Sequence, residues 1–109
     1  EFTEDQYNHL HQMFELTDDA LEQMTQILVA HRGSVDVNRS FNIENEINNY
    51  RNQLKNQNIN DVNEHKYSYA SGTMYMDLIN ECEHLGDYVV NVVEARMGVK
   101  QHEPEPNID

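Results

Sequence analysis

The chain contains three long stretches in which apolar residues recur at alternating spacings of three and four. This spacing places side chains along one face of an α-helix. In the first stretch, residues 3–31, the repeating positions are Tyr7, Leu10, Phe14, Thr17, Leu21, Met24 and Leu28. Three further residues are expected to widen that face: Met13, Ala20 and Ile27. Thr3 followed by Gln6 predicts a capping box at the start of this helix, and Gly33 predicts its end.

The second and third stretches predict two more helices. Residues 36–56 have a thinner apolar face, formed by Val37, Phe41, Ile43, Ile47, Tyr50 and Leu54. Residues 57–63 are rich in turn-forming side chains and predict a loop. Residues 65–97 repeat Tyr67, Met74, Leu78, Cys82, Leu85, Val89 and Val92. Gly72 and Gly86 lie inside this helix, where each costs about 1 kcal/mol relative to Ala, and Gly86 predicts either close helix packing or space beside a ligand.

Three amphipathic stretches with short connections predict an all-α fold, an antiparallel up-down-up three-helix bundle. We expect the bundle to occupy residues 1–98 and a polar, flexible tail to follow at residues 99–109. Because a flat layer of three long helices leaves apolar surface exposed, we also expect it to pair with a second copy or a sister domain.

The charge of the chain narrows the classes of partner. The formal net charge of the 109 residues is -13, which opposes binding to nucleic acids and to anionic membrane surfaces.

No stretch approaches the roughly 18 apolar residues of a transmembrane helix. Cys82 is the single cysteine, which excludes an intrachain disulfide and a cysteine-based zinc motif.

Candidate chemistry lies in the third helix, where Glu83 and Asp87 are four residues apart. On a helix such residues share a face, about 6 Å apart, and two carboxylates at that distance repel each other. A bound cation would relieve the repulsion. The spacing alone favours the simpler interpretation, a solvated acidic face.

Residues 83–94, EHLGDYVVNVVE, resemble the third-helix motif of PhoU domains, which is approximately E-R-I-G-D-H-x-x-N-I-A-E. The matching residues are Glu83, Gly86, Asp87, Asn91 and Glu94. His84 stands where that motif has Arg. The family has a second acidic motif on its middle helix, a carboxylate followed four residues later by Asp, and Glu44 with Asn48 lies where that motif is expected. The overall resemblance extends over residues 3–98.

The resemblance implies a three-helix bundle whose motifs bind divalent ions or iron or zinc clusters. It assigns Glu83 and Asp87 as the first metal ligands, Glu44 as the next, and Asn48 as a weak neutral ligand. Because only three of these four side chains are acidic, we expect metal binding to be weak or lost.

The resemblance also implies a function. PhoU domains occur in tandem in phosphate-uptake regulators and singly at the cytoplasmic C-terminus of bacterial sodium/phosphate cotransporters. We expect a non-enzymatic regulatory domain of the second kind, soluble itself and located at the cytoplasmic side of the inner membrane. Its partner would be the membrane transporter portion of the same chain, since a start at Glu1 rather than Met indicates a segment of a longer protein. A fragment of a tandem regulator is the alternative.

The residues also raise two other classes of function, a metal-dependent enzyme and an interaction module. Glu81 and His84 form an E-x-x-H pair, the spacing used in di-iron helical bundles, and raise the hypothesis of a metal-dependent enzyme; the sequence lacks the second such motif that those sites need. Cys82 is predicted to be a buried small hydrophobic residue rather than a nucleophile. The third hypothesis is an interaction module without a ligand.

Overall fold

The computed structural model describes residues 1–30 and 36–98, and this part of the chain forms three α-helices and no strand. The helices are α1 (Glu4–Val29), α2 (Asn38–Asn63) and α3 (Tyr69–Met97). They confirm the all-α three-helix bundle. The predicted stop at Gly33 and the predicted tail at 99–109 lie outside the described residues, so the domain limits stay a prediction.

The contacts between helices fix the up-down-up order. His9 of α1 contacts Tyr75 of α3, and Ala30, which follows α1 directly, contacts Arg96; both pairs are 66 residues apart. These two helices therefore run parallel. Position 86 of α3 lies against Ile47 of α2, whereas the earlier position 72 lies against the later residue Val62, so α2 and α3 run antiparallel.

The capping box at the start of α1 is confirmed. The side chain of Thr3 accepts a hydrogen bond from the backbone N–H of Gln6 at 3.1 Å. The side chain of Gln6 accepts one from the backbone N–H of Thr3 at 2.8 Å. At the other end of the bundle, Gly98 adopts the left-handed conformation (φ 71°) that ends α3, which matches the predicted end of the third pattern.

The prediction of a loop at residues 57–63 is wrong, because α2 continues to Asn63. Asn58 accepts a hydrogen bond from the Tyr67 hydroxyl at 2.8 Å, and Val62 packs on the bare backbone of Gly72. These tertiary contacts keep residues 57–63 helical although most of these residues have low helix propensity. The chain instead reverses at His65, which has a positive φ of 59°, and α3 begins four residues later than predicted.

The predicted core-facing rows are only partly right. On α1 the structure buries Leu10, Met13, Thr17, Ala20 and Ile27, while Tyr7, Phe14 and Leu28 of the predicted row are exposed. On α3 it buries Ile79, Cys82, Val89, Val90 and Val93, while Met74, Leu78 and Leu85 are exposed. Each helix is apolar over more than one row, and the positions of its two neighbours decide which row is covered.

Candidate functional site between α2 and α3

The carboxylates singled out in the sequence lie at the contact between α2 and α3. Gly86 allows the two helices to approach closely, because a Cβ atom at position 86 would lie only 3.3 Å from Cδ1 of Ile47. The sequence predicted either close helix packing or space beside a ligand at Gly86, and close packing is confirmed. Glu83, one turn earlier, is drawn into the interface and is only 8% exposed.

Glu83 and Asp87 are close enough to interact directly. The pKa of Glu83 is raised above its usual value, first by burial and then by the charge of Asp87, with which it also shares a hydrogen bond. Only the protonated form of Glu83 can donate this hydrogen bond to the Asp87 carboxylate, so the bond favours the neutral form of Glu83. The charges of Arg51 and His84 oppose the rise in the Glu83 pKa. The four-residue spacing therefore produces the predicted repulsion, but in a buried position rather than on a solvated face.

Arg51 is a residue that the sequence analysis missed. It lies on α2, and its charge acts on Glu83 across the interface. Its Nε atom is buried without a hydrogen-bond partner among the described side chains. The spacing contained a signal for it, since Glu44, Asn48 and Arg51 follow one another at four and three residues and so share one face of α2.

The second predicted motif forms its own local pair. The Nδ2 atom of Asn48 donates a hydrogen bond to Oε2 of Glu44 at 2.9 Å, and Glu44 is buried. Asn48, which replaces the second acid of the motif, therefore stabilises the carboxylate of Glu44 directly. A hydrogen bond to a buried carboxylate favours its ionised form, as a bound cation would.

The donor atoms of these residues decide whether they fit a metal site. Among the residues with described positions, no group of three or more His, Cys, Asp or Glu side chains is placed to hold a metal ion. The positive charge of Arg51 acts on Glu83, and Asn48 donates a hydrogen bond to Glu44. The arrangement does not fit a multinuclear cluster, which requires several converging anionic ligands. The assignment of Glu83, Asp87, Glu44 and Asn48 as ligands of one ion stays a prediction.

Comparison with known proteins identifies the family. A model of the PhoU domain matches residues 10–95, a span that includes most of the bundle and both motifs. The chain belongs to the PhoU domain family. No curated protein and no solved structure gives a significant match. Membership in this family indicates a regulatory role in phosphate homeostasis.

The remaining candidate residues of this PhoU domain lie away from the α2–α3 contact. His84 Nδ1 is 3.6 Å from Glu81 Oε2, and both side chains are largely exposed. This E-x-x-H pair therefore faces solvent, unlike the inward-facing pairs of di-iron bundles. Cys82 is buried as predicted, and burial raises the pKa of its thiol. None of the described helices is long and apolar enough to cross a membrane.

Proposed function

We propose that this PhoU domain is a non-enzymatic regulatory domain of a sodium-dependent phosphate transporter, located at the cytoplasmic side of the membrane. The observation that supports the proposal is the PhoU match over residues 10–95. The third-helix residues that carried the sequence resemblance also support it, because Glu83, Gly86 and Glu94 are all buried. The transporter portion would be encoded upstream in the same chain.

In this proposal the domain acts by docking rather than by catalysis. The α2–α3 contact combines tight packing at Gly86 with an unfavourable buried charge at Glu83. A contact that changes the charge at Glu83 would therefore change the free energy of helix packing. Such coupling would let an ion or a partner group influence how the helices present their outer faces to the transporter.

The decisive experiment uses the complete gene. The coding sequence upstream of Glu1 should contain transmembrane helices, and sodium-dependent uptake of radiolabelled phosphate should be measurable in cells that lack other phosphate transporters. Deletion of residues 4–97 should preserve uptake but remove its response to phosphate supply. A matched deletion of residues 99–109 should leave that response intact.

Two results would contradict the transporter proposal. A second soluble three-helix domain upstream would favour the alternative, a tandem phosphate-uptake regulator. Equal uptake and equal response with and without residues 4–97 would remove the regulatory role. In either case the family assignment and the fold would be unaffected, because they rest on the sequence match and the helices.

Metal binding is a separate part of the proposal. Glu83 and Asp87 supply one carboxylate pair, and Glu44 supplies a third carboxylate on the neighbouring helix. We propose weak binding of one divalent ion at the Glu83–Asp87 pair, since a cation would relieve the repulsion that raises the Glu83 pKa.

A further inference from the structure

Two rows of large apolar side chains remain exposed on the outside of the bundle. The α1 stripe consists of Tyr7, Phe14, Leu21 and Leu28, spaced seven residues apart. The α3 stripe consists of Met74, Leu78, Leu85 and Val92. Six of these side chains are between 41% and 62% exposed, and the other two, Leu21 and Val92, are partly buried.

The two stripes border the same contact between α1 and α3. On α1, Gln12 and Leu16 line a groove with residues of α2, and the α1 stripe lies on the other side of the buried row. On α3, Glu83 lies on the side of the buried row that is nearer to Arg51 and α2. The α3 stripe lies on the opposite side of that buried row. Since Thr17 and Cys82 meet between the two helices, the stripes form one surface, here called the α1–α3 face.

The surroundings of the α1–α3 face are acidic. Helix α1 contains six carboxylates and no Lys or Arg. Helix α3 contains five carboxylates, and its single basic residue other than His, Arg96, donates a hydrogen bond to the carbonyl of Ala30 at 3.1 Å. Exposed Asp18 follows Phe14 by four residues, and exposed Glu81 lies three residues after Leu78. These carboxylates are therefore immediate neighbours of the stripes.

We propose that the α1–α3 face binds an amphipathic helix that carries Lys or Arg along both edges of its apolar side. The apolar side covers the two stripes, and the basic residues pair with the carboxylates beside them. A second copy of this chain is a poor occupant, because it would place the carboxylates of α1 and α3 opposite an identical set. The proposal is independent of the transporter, because it concerns a surface and can be tested with a peptide.

The length of the face sets the length of the bound helix. From Tyr7 to Leu28 the α1 stripe spans 21 residues, or about 32 Å at 1.5 Å per residue. A helix of about 20 residues matches this length. A contiguous row of exposed apolar side chains that is rimmed by charge is typical of an interaction site.

The test uses three fluorescent peptides of about 20 residues, a length taken from the helical rise. The first contains Leu at spacings of three and four, with Lys at the other positions. The second has the same composition in shuffled order, and the third has Glu in place of Lys. Binding to the 109-residue chain is measured by fluorescence anisotropy at physiological salt. Only the ordered Leu/Lys peptide should bind tightly.

Two matched protein variants locate the binding surface. In the first, Leu78→Asn and Leu85→Asn change the α3 stripe. In the second, Ile59→Asn and Tyr69→Asn change apolar residues that are more exposed than these and lie near the turn between α2 and α3. The first variant should bind the ordered peptide about tenfold more weakly or worse, which corresponds to about 1.4 kcal/mol. The second should bind it as the unchanged protein does. Thermal melting confirms that both variants are folded.

Three results would overturn the proposal. The ordered peptide could fail to bind the unchanged protein. The shuffled peptide could bind as tightly as the ordered one, or the Leu78/Leu85 variant could retain full affinity; either would show attraction by charge alone. Sedimentation could reveal a dimer that the Leu78/Leu85 variant dissociates, which would make a second copy the occupant.

Discussion

Gly86 of α3 packs directly against Ile47 of α2. The space between them is so small that a Cβ atom at position 86 would lie 3.3 Å from Cδ1 and 3.7 Å from Cγ2 of Ile47. Glu83 precedes this contact by three residues and Asp87 follows it by one. The carboxylate pair of the PhoU motif is therefore held at the place where the two helices approach closely.

The contact predicts a coupling between positions 47 and 86. Gly86→Ala should gain up to about 1 kcal/mol of helix propensity but should lose most of it to the crowding of Ile47. Ile47→Val removes Cδ1 and by itself should cost about 0.5–1.5 kcal/mol. In that background Gly86→Ala should become clearly stabilising. Urea unfolding of the four proteins measures the coupling, and an equal effect of Gly86→Ala in both backgrounds would contradict the proposed contact.

The raised pKa of Glu83 predicts a pH-dependent gain from Glu83→Gln. A carboxyl group with a higher pKa in the folded than in the unfolded state favours folding below the unfolded pKa of 4.5. This contribution is lost as the pH rises through the folded pKa. Glu83→Gln removes the ionisation. It should therefore raise the melting temperature at pH 7, with the gain shrinking towards pH 4.

The control for this prediction is Glu81→Gln, which lies on the exposed side of the same helix. Both variants are measured in the presence of a chelator, so that bound metal ions do not contribute. A larger gain at pH 4 than at pH 7 for Glu83→Gln would show that burial and Asp87 do not disfavour the charged form of Glu83.

Neighbouring positions on α1 provide a test of which helix row faces the core. Met13 is fully buried and Phe14 is 47% exposed, although both are large and apolar. Met13→Ala should destabilise the domain by about 2–5 kcal/mol, as expected for a core truncation, whereas Phe14→Ala should cost about 1 kcal/mol or less. The order of the two unfolding free energies decides the question, and a larger loss for Phe14→Ala would mean that α1 is rotated relative to this structure.

Divalent ions should bind weakly at the Glu83–Asp87 pair. Calorimetric titration of the protein with Mn²⁺ should give a dissociation constant of about 10⁻⁴–10⁻³ M, the range of sites with few charged ligands. Replacement of both residues by their amides should abolish this binding. The matched control is Asp18→Asn with Glu22→Gln, a pair with the same spacing on the exposed side of α1.

Binding that is lost equally in the control variant would assign the ion to general attraction by the acidic surface. Tight binding of several ions per chain would contradict the conclusion that the arrangement does not fit a multinuclear cluster. Enzymatic turnover with the bound metal would revive the hypothesis of a metal-dependent enzyme.

The sequence by itself determined the elements of this protein and the composition of its motif. The spacing of apolar residues predicted three helices and the end of the third near residue 97, and local hydrogen-bonding rules predicted the capping box of Thr3 and Gln6. These features depend on residues within a few positions of one another. The pairing of Glu83 with Asp87 was predictable for the same reason, because a four-residue spacing on a helix fixes their separation.

Only the tertiary structure decided which faces are buried and what surrounds the carboxylates. Phe14 and Met13 are both apolar, and burial of Met13 follows from where α2 and α3 lie rather than from the pattern on α1. The extension of α2 through residues 57–63 likewise depends on Tyr67 and Gly72 of other segments. Arg51 became part of the site because antiparallel packing brings it to Glu83. A local pattern specifies a helix, but the burial of a charge depends on neighbours that are distant in the chain.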